Sequence, residues 1–424
     1  MNDRSRPRLE RRIGLGGALL LSFNGAVGAA IFALPATLAA DFGTFSPWLF
    51  PLIALGAMLV IWPFSRSVAA FSESGGPATY GRVFGRLAGF ELGWIYYVAR
   101  AAAFAANANV LIAYLGRWLP AIESSALRAA ALIALCAGLA AANIVGVERA
   151  LRLLAGLTLL KALPLILAAV ASLIMFAPIP APGPAPPLSE FEAGALLVFY
   201  AFVGFENLVV PAGETRQPER TLPRAILLGI AATTLLYFLV QLAFVTVFPA
   251  GGADVDSPLV DLGRRLAGPA GAIVLTLTAI ASLAGNLHGI MAAVPRVTSA
   301  MGERGDLPAW FGKVSERFST PANSIAFLGL FTATLAVSGG FVWLAVVSTL
   351  ARMFVYSVTI AALPWAPHRP QVRAMYWVSG ALGILLCAWA AAQADAKAWM
   401  TLAVLSGGGL ILYAAATALR IRTR

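Results

Sequence analysis

The chain has 424 residues, of which 60% are hydrophobic and only 12% are charged. Soluble domains carry about 25% charged residues, so this composition excludes a water-soluble globular fold. The net charge of +11 does not indicate a nucleic-acid partner, because the basic residues stand in short loops between apolar stretches. We expect no metal and no cofactor either. Cys136 and Cys387 lie singly inside apolar stretches, and the sequence contains no metal-ligand spacing or phosphate-binding motif.

Apolar runs long enough to cross a hydrocarbon core of about 30 Å recur along the whole chain. They predict twelve transmembrane spans, near residues 13–39, 46–70, 89–116, 125–145, 151–177, 189–213, 224–249, 270–300, 323–338, 341–365, 373–392 and 398–419. We therefore predict an all-α integral membrane protein in which residues 1–424 form a single transmembrane domain. The polar segment 302–320 is expected to form a short surface helix.

The basic residues predict the orientation of the chain in the membrane. They are concentrated at the N-terminus, in alternate loops and in the C-terminal tail, whereas an intervening loop carries Asp254, Asp256 and Asp261. Positive residues accumulate on the cytoplasmic side, so we expect both termini in the cytoplasm and the protein in the cell inner (plasma) membrane. Arg264 and Arg265, in an outer loop, run against this pattern.

The first and the sixth predicted spans are both interrupted by glycine and proline. Gly28 precedes Pro35 by the same spacing that separates Gly204 from Pro211. Both residue types weaken a helix interior, and broken helices at equivalent points of two halves indicate the mid-membrane site of a transporter. Free N–H groups at such a break can bind the carboxylate of an amino acid, and free C=O groups can bind its amine. The alternative is that these residues only permit close helix contacts.

Four ionisable side chains fall well inside the predicted spans: Arg100, Lys161, Glu206 and Arg352. Each costs at least ~2.5 kcal/mol at the bilayer centre, so we expect them to face a cavity or to pair with one another. Arg100 and Arg352 are expected in internal ion pairs, with carboxylates that the sequence does not identify.

Two interpretations of Lys161 stay open. Its ammonium either replaces a bound cation or carries a proton, or it is a fixed tether to backbone carbonyls of the broken first span. Both interpretations place it beside that break. Glu206 is either a proton site or a structural and gating residue. Tyr200 and Phe205 flank the second break, where an aromatic ring either closes over a substrate or packs in the core.

Three segments resemble the amino acid–polyamine–organocation permeases. Gly28–Pro35 is similar to their Gly-Ser-Gly-(Ile/Val)-Phe-x-x-Pro segment. Phe202–Glu206, continuing through Glu214–Ile226, is similar to their sixth span and the inner loop that follows it. Gly305–Pro308 is similar to their loop after the eighth span. The resemblance covers nearly the whole chain. It implies a leucine-transporter-type fold, with two inverted five-helix repeats at about 13–177 and 189–365 and two extra helices at about 373–419.

The resemblance also implies a substrate site at the two breaks. The backbone that would bind the substrate carboxylate is at Gly28, Ala29 and Ala30, and the carbonyls that would bind its amine are near Ala26, Val27, Phe202 and Phe205, around Gly204. The usual Gly-Ser-Gly is Gly28-Ala29-Ala30 in this chain. The change removes a hydroxyl group and a glycine, which leaves the strength of carboxylate binding and the type of substrate open.

Gating and coupling residues follow from the same resemblance. Tyr200 corresponds to the aromatic gate of arginine–agmatine exchangers, and Glu206 corresponds to their gating carboxylate. Lys161 matches a fifth-span lysine of sodium-independent members, which occupies a place where sodium-coupled relatives bind an ion. The resemblance therefore favours an antiporter or a proton symporter over a sodium symporter.

These observations predict a secondary active transporter that moves amino acids by alternating access, and they predict no enzyme activity, because no nucleophile, base and orienting group stand at recognisable spacing. Neutral amino acids are the first expected substrates, because the candidate site residues are mostly apolar. The alternatives are a cationic amino acid or polyamine antiporter, with Glu206 as the counter-charge, and a membrane sensor that binds an amino acid without transporting it. Transport direction and oligomeric state do not follow from the sequence.

Overall fold

The computed structural model describes residues 13–71, 76–146, 150–206, 215–249, 251–366 and 374–422. The helices in these ranges are α1 Leu15–Ala26, α2 Ala30–Phe42, α3 Ser46–Phe71, α4 Pro77–Gly81, α5 Arg86–Gly116, α6 Ser125–Val145, α7 Ala150–Met175, α8 Leu188–Tyr200, α9 Pro218–Val247, α10 Pro258–Ala293, α11 Pro295–Glu303, α12 Ala322–Ser338, α13 Phe341–Ala361, α14 Ala374–Ala392 and α15 Ala396–Arg422. Short 3₁₀ turns join some of them, and the described residues contain no strand beyond an isolated bridge between Ile13 and Thr215.

Eight helical segments of the described chain are long and apolar enough to cross a membrane. Three shorter apolar helices accompany them, at Leu15–Ala26, Lys161–Met175 and Ala322–Ser338. The predicted all-helical membrane class is therefore confirmed. The count of twelve spans and the division into two five-helix repeats stay predictions.

The first predicted span is interrupted where the sequence indicates. Helix α1 ends at Ala26 and α2 begins at Ala30, and Val27, Gly28 and Ala29 between them are not helical. Pro35 lies inside α2, which continues to Phe42, so the proline does not end this helix.

The sixth predicted span is also interrupted. Helix α8 ends at Tyr200 and is followed by turns up to Glu206. Pro211, the predicted partner of Gly204, lies outside the described residues. A further departure from helical geometry occurs in α10 at Ala267 and Gly268, just before the predicted start of the eighth span.

Helix α5 lies at the centre of the bundle. It packs against α10, α12, α13 and α15, and 89% of its apolar stretch is buried. Its middle is rich in alanine from Ala101 to Ala108, and small side chains let helices approach closely in lipid. This packing carries Arg100 and Asn107 of α5 into the interior of the bundle.

The expectation of a surface helix at 302–320 is wrong. Beyond Glu303 this segment consists of turns, held by backbone hydrogen bonds such as that from the N–H of Asp306 to the carbonyl of Met301. The carboxylate of Asp306 is 3% exposed and bonds Arg86 at 2.7 Å and Arg82 at 3.2 Å, with Arg304 at 3.5 Å. The cluster of three arginines around one buried aspartate fixes the segment against the start of α5.

Replacing Asp306 with alanine should lower the stability of the protein. Three guanidinium groups lose their shared counter-charge, and because each is partly exposed and can regain water, we expect a loss of roughly 1–3 kcal/mol. Thermal unfolding of the purified protein in detergent measures the change. Glu316→Ala, at an exposed position of the same segment, is the matched control. Equal unfolding temperatures for the two variants would contradict a role for the cluster.

Candidate functional site

A small cavity lies between the two interrupted helices. It is lined by Gly25, Ala26, Gly28, Ala29, Ala30, Arg100, Ala103, Asn107, Tyr200, Val203, Gly204, Asn286, Ile290 and Arg352. The space open to the centre of a water molecule is ≈ 20 Å³, which is room for about one water. The cavity is therefore contracted in this conformation, and a larger solute requires it to widen.

The first turn of α2 presents unpaired backbone donors at the cavity. A helix start leaves its first N–H groups without acceptors in the helix, and the helix dipole makes this end positive. The N–H of Ala29 donates to Asn107 Oδ1 at 3.0 Å, and Asn107 Nδ2 donates to Asn286 Oδ1 at 2.8 Å. The N–H groups of Ala30 and Ile31 follow in the same turn, and this geometry suits the carboxylate of a ligand.

The carbonyl groups on the other side of the first break are already bound. Lys161 of α7 is 1% exposed, and its ammonium donates to the carbonyls of Asn24 at 3.2 Å and Val27 at 3.1 Å, and to the side-chain oxygen of Asn24. The hydroxyl of Tyr237 donates to the carbonyl of Ala26 at 3.1 Å. Two of the carbonyls that the resemblance assigns to the substrate amine, those of Ala26 and Val27, therefore have donors from the protein itself.

Gly204 brings the second break against the first. Its φ of +114° is one that side-chain-bearing residues rarely adopt, and a Cβ there would overlap the carbonyl group of Gly25 at less than 3.0 Å. A Cβ at Gly28, by contrast, would meet Asn107 Oδ1 at an ordinary 3.5 Å. The two interrupted segments thus touch through bare backbone at Gly25 and Gly204, and of Gly28 and Gly204 it is Gly204 that this contact requires.

Glu206 is the carboxylate partner that the sequence left unidentified. It is 2% exposed; its Oε1 accepts from Arg352 Nε at 2.7 Å and lies 3.8 Å from Arg100 Nη1. Its Oε2 accepts from the N–H of Gly204 at 2.8 Å and from the hydroxyl of Tyr356 at 3.0 Å. Glu206 therefore holds the backbone of the second break in place, and the charge of this group of three ionised side chains is +1.

The three aromatic candidates beside the second break differ in position. Tyr200 lines the cavity, and its ring meets Phe341 edge-on at 5.7 Å. The ring of Phe202 packs on Tyr237 at 6.5 Å, and the ring of Phe205 packs on Tyr356 at 5.4 Å. Phe202 and Phe205 are not among the residues that line the cavity, so of the three aromatic residues Tyr200 alone borders it.

A second cavity, of ≈ 260 Å³, lies beyond the contact between Tyr200 and Phe341. Phe341 is one of its lining residues, together with Asn109, Arg128 and Asp256. Asp256 belongs to the loop whose acidic residues predict the outer side of the membrane. The two aromatic rings therefore stand between the central cavity and this wider one.

The sequence interpretation missed the uncharged polar residues of the site. Asn107 and Asn286 line the cavity, Asn24 binds Lys161, and Tyr237 and Tyr356 bind a backbone carbonyl and Glu206. A signal was present for the asparagines, because a polar amide in the middle of an apolar span is costly unless it has a partner. The tyrosines gave no such signal, since tyrosine is common in membrane helices.

A bundle of apolar helices with a polar cavity between two interrupted helices defines a membrane transporter. Residues 13–417 match the family model described as amino acid permease, and the chain belongs to that family. It is thus a multi-pass membrane permease.

Curated relatives are also transporters. The chain is 29% identical to an uncharacterized transporter of Mycobacterium tuberculosis over 396 residues, 90% of this chain and 86% of the relative, and equally to one of Mycobacterium bovis. It is 33% identical to the vacuolar cationic amino acid transporter 4 of Arabidopsis thaliana over 153 residues, 35% of this chain and 25% of that protein. Family and relatives together indicate transport and not enzymatic catalysis.

Gly204→Ala should destabilise the protein, whereas Gly28→Ala should not. The first substitution combines an unfavourable backbone conformation with an overlap on Gly25, and we expect it to cost at least about 2 kcal/mol. The second adds a methyl group at van der Waals distance, and we expect less than about 1 kcal/mol. Thermal unfolding in detergent compares them, and similar unfolding temperatures would show that the breaks do not depend on this contact.

Proposed function

We propose that this permease is a sodium-independent amino-acid transporter that works by alternating access around the two interrupted helices. The observation that carries the proposal is the position of the α2 N-terminus across one cavity from the backbone of Gly25 and Gly204, where the two interrupted segments meet. A zwitterion presents one charge to each of these groups. We place the protein in the plasma membrane with both termini in the cytoplasm, on the distribution of its basic loops.

Lys161 supports sodium independence. Its ammonium is surrounded by backbone and side-chain oxygens of Asn24 and Val27, which are the kind of ligands that a small cation takes from an unwound helix. A covalently attached positive charge already fills this place. Exchange or proton coupling is then left as the energy source, and Lys161 is either the fixed substitute for the ion or the proton carrier.

The charges around the cavity favour neutral over cationic amino acids. Glu206 is the counter-charge that a cationic substrate would require, yet both of its oxygens are bound, to Arg352, Tyr356 and Gly204. Arg100 and Arg352 line the cavity with positive charge. The cationic amino acid transporters of Arabidopsis thaliana match only 35% and 42% of this chain. We therefore base the choice between neutral and cationic substrates on the charges at the cavity and not on the names of these relatives.

Gates at both ends of the cavity complete the proposal. Tyr200 with Phe341 would close the path towards the Asp256 side, where the wider cavity lies. The cluster around Asp306 would hold the opposite side closed, because it ties the start of α5 to the turns after α11. A transporter must open these two contacts in alternation.

Uptake into proteoliposomes tests the proposal. Vesicles containing the purified protein should take up labelled neutral amino acids equally well with sodium or with choline outside. Preloading with unlabelled amino acid would stimulate uptake by an exchanger, and an imposed pH gradient would stimulate a proton symporter. Flux that requires sodium would overturn the interpretation of Lys161, and absence of flux or exchange for every amino acid would overturn the transport proposal.

Lys161→Ala should reduce coupled transport at least tenfold. The substitution leaves the carbonyls of Asn24 and Val27 without their donor inside the membrane, so the first break loses its fixed shape. Lys397→Ala is the matched control, because Lys397 is exposed and lies over the ring of Trp343. Coupled transport at the wild-type level in Lys161→Ala would remove Lys161 from the mechanism.

A further inference from the structure

Arg100 is a buried cation with unused hydrogen-bond donors. It is 5% exposed, lines the cavity, and its Nε has no hydrogen-bond partner. Its nearest carboxylate, that of Glu206, is 3.8 Å from Nη1, which is beyond hydrogen-bond distance. A guanidinium carries five N–H donors, and among the described residues the buried one on Nε of Arg100 has no acceptor.

Glu206 has little capacity left for Arg100. One of its oxygens is bound by Arg352 at 2.7 Å, and the other is bound by Gly204 and Tyr356. Asn107 and Asn286 bond to each other, and Asn107 also binds the N–H of Ala29, so these amides are engaged as well. A buried donor without an acceptor is costly in a membrane interior, so the Nε–H group of Arg100 remains able to bind an oxygen ligand that enters the cavity.

The cavity therefore contains two separate places for an anionic group. One is the start of α2, where Ala30 lines the cavity in the first turn of the helix, and the other is Arg100 on helix α5. A neutral amino acid has a single carboxylate and would leave one of the two places empty. Among the described residues the charged groups at the cavity are Arg100, Arg352 and Glu206, and Lys161 lies behind the first break.

We propose that Arg100 binds a side-chain carboxylate, so that this permease prefers acidic amino acids over neutral ones. The α-carboxylate of the substrate occupies the α2 N-terminus, and its second carboxylate accepts two hydrogen bonds from the guanidinium of Arg100. This inference rests on the proposed transport function, and within that function it puts acidic amino acids in place of the neutral ones as the preferred substrates. Arg352 remains the partner of Glu206 and shapes the second break.

Matched pairs of acid and amide test the preference for charge at constant size. Unlabelled glutamate should compete with labelled amino-acid uptake at least tenfold better than glutamine, and aspartate at least tenfold better than asparagine. In Arg100→Gln the difference should fall to within about threefold, while the pair between Glu206 and Arg352 remains. Arg117→Gln, just beyond the C-terminal end of α5 and paired with Asp261 at 3.0 Å, should keep the wild-type preference.

Thermal stabilisation in detergent measures binding without transport. A ligand that binds the folded protein raises its unfolding temperature, so glutamate should stabilise the wild type more than glutamine and lose this advantage in Arg100→Gln. If Arg100→Gln does not fold, Arg100→Lys replaces it, because lysine keeps the positive charge but cannot donate two parallel hydrogen bonds to one carboxylate. The comparison of acids with amides on the wild-type protein also tests the preference without any variant. Acids and amides bound equally well would overturn the role of Arg100 but leave the transport proposal standing. Failure of every amino acid to bind or move would overturn the transport proposal itself.

Discussion

The structure depends on how the backbone N–H and C=O groups between α1 and α2 find hydrogen-bond partners. Lipid offers no hydrogen bonds, so the unwound residues Val27, Gly28 and Ala29 can exist only if other parts of the protein supply partners. Lys161 of α7 donates to the carbonyl of Val27, and Asn107 of α5 accepts from the N–H of Ala29. Tyr237 of α9 donates to the carbonyl of Ala26, where α1 ends. These three helices must therefore pack around the break, and the packing leaves the start of α2 facing a cavity.

The second break is held by charge. The carboxylate of Glu206 accepts a hydrogen bond from the N–H of Gly204, and its negative charge is balanced by Arg352 within the hydrocarbon interior. A buried carboxylate of this kind is tolerable only with several donors, and the structure supplies them from α13 as well as from the backbone.

Much of this could be predicted from the sequence, for physical reasons. Gly28, Gly204 and Lys161 are all expensive inside an apolar helix, and each marks the neighbourhood of a break. The partner of Arg100 and Arg352 could not be predicted, because a long side chain on one helix can reach several others. The prediction of a surface helix at 302–320 was wrong. The segment is held by ion pairs between the buried carboxylate of Asp306 and three arginines, and no local sequence pattern shows that these arginines converge on it.

The ammonium of Lys161 is attached to α7 by its own side chain and cannot leave with a solute. A dissociable ion in the same place would cross the bilayer in every transport cycle. Each elementary charge that crosses gains about 2.3 kcal/mol of free energy per 100 mV of membrane potential. A tethered charge that stays on its helix draws none of that work. A neutral zwitterion carried past it would be electrically silent, whereas an acidic amino acid would carry one negative charge across the membrane unless a proton or a counter-solute moved with it.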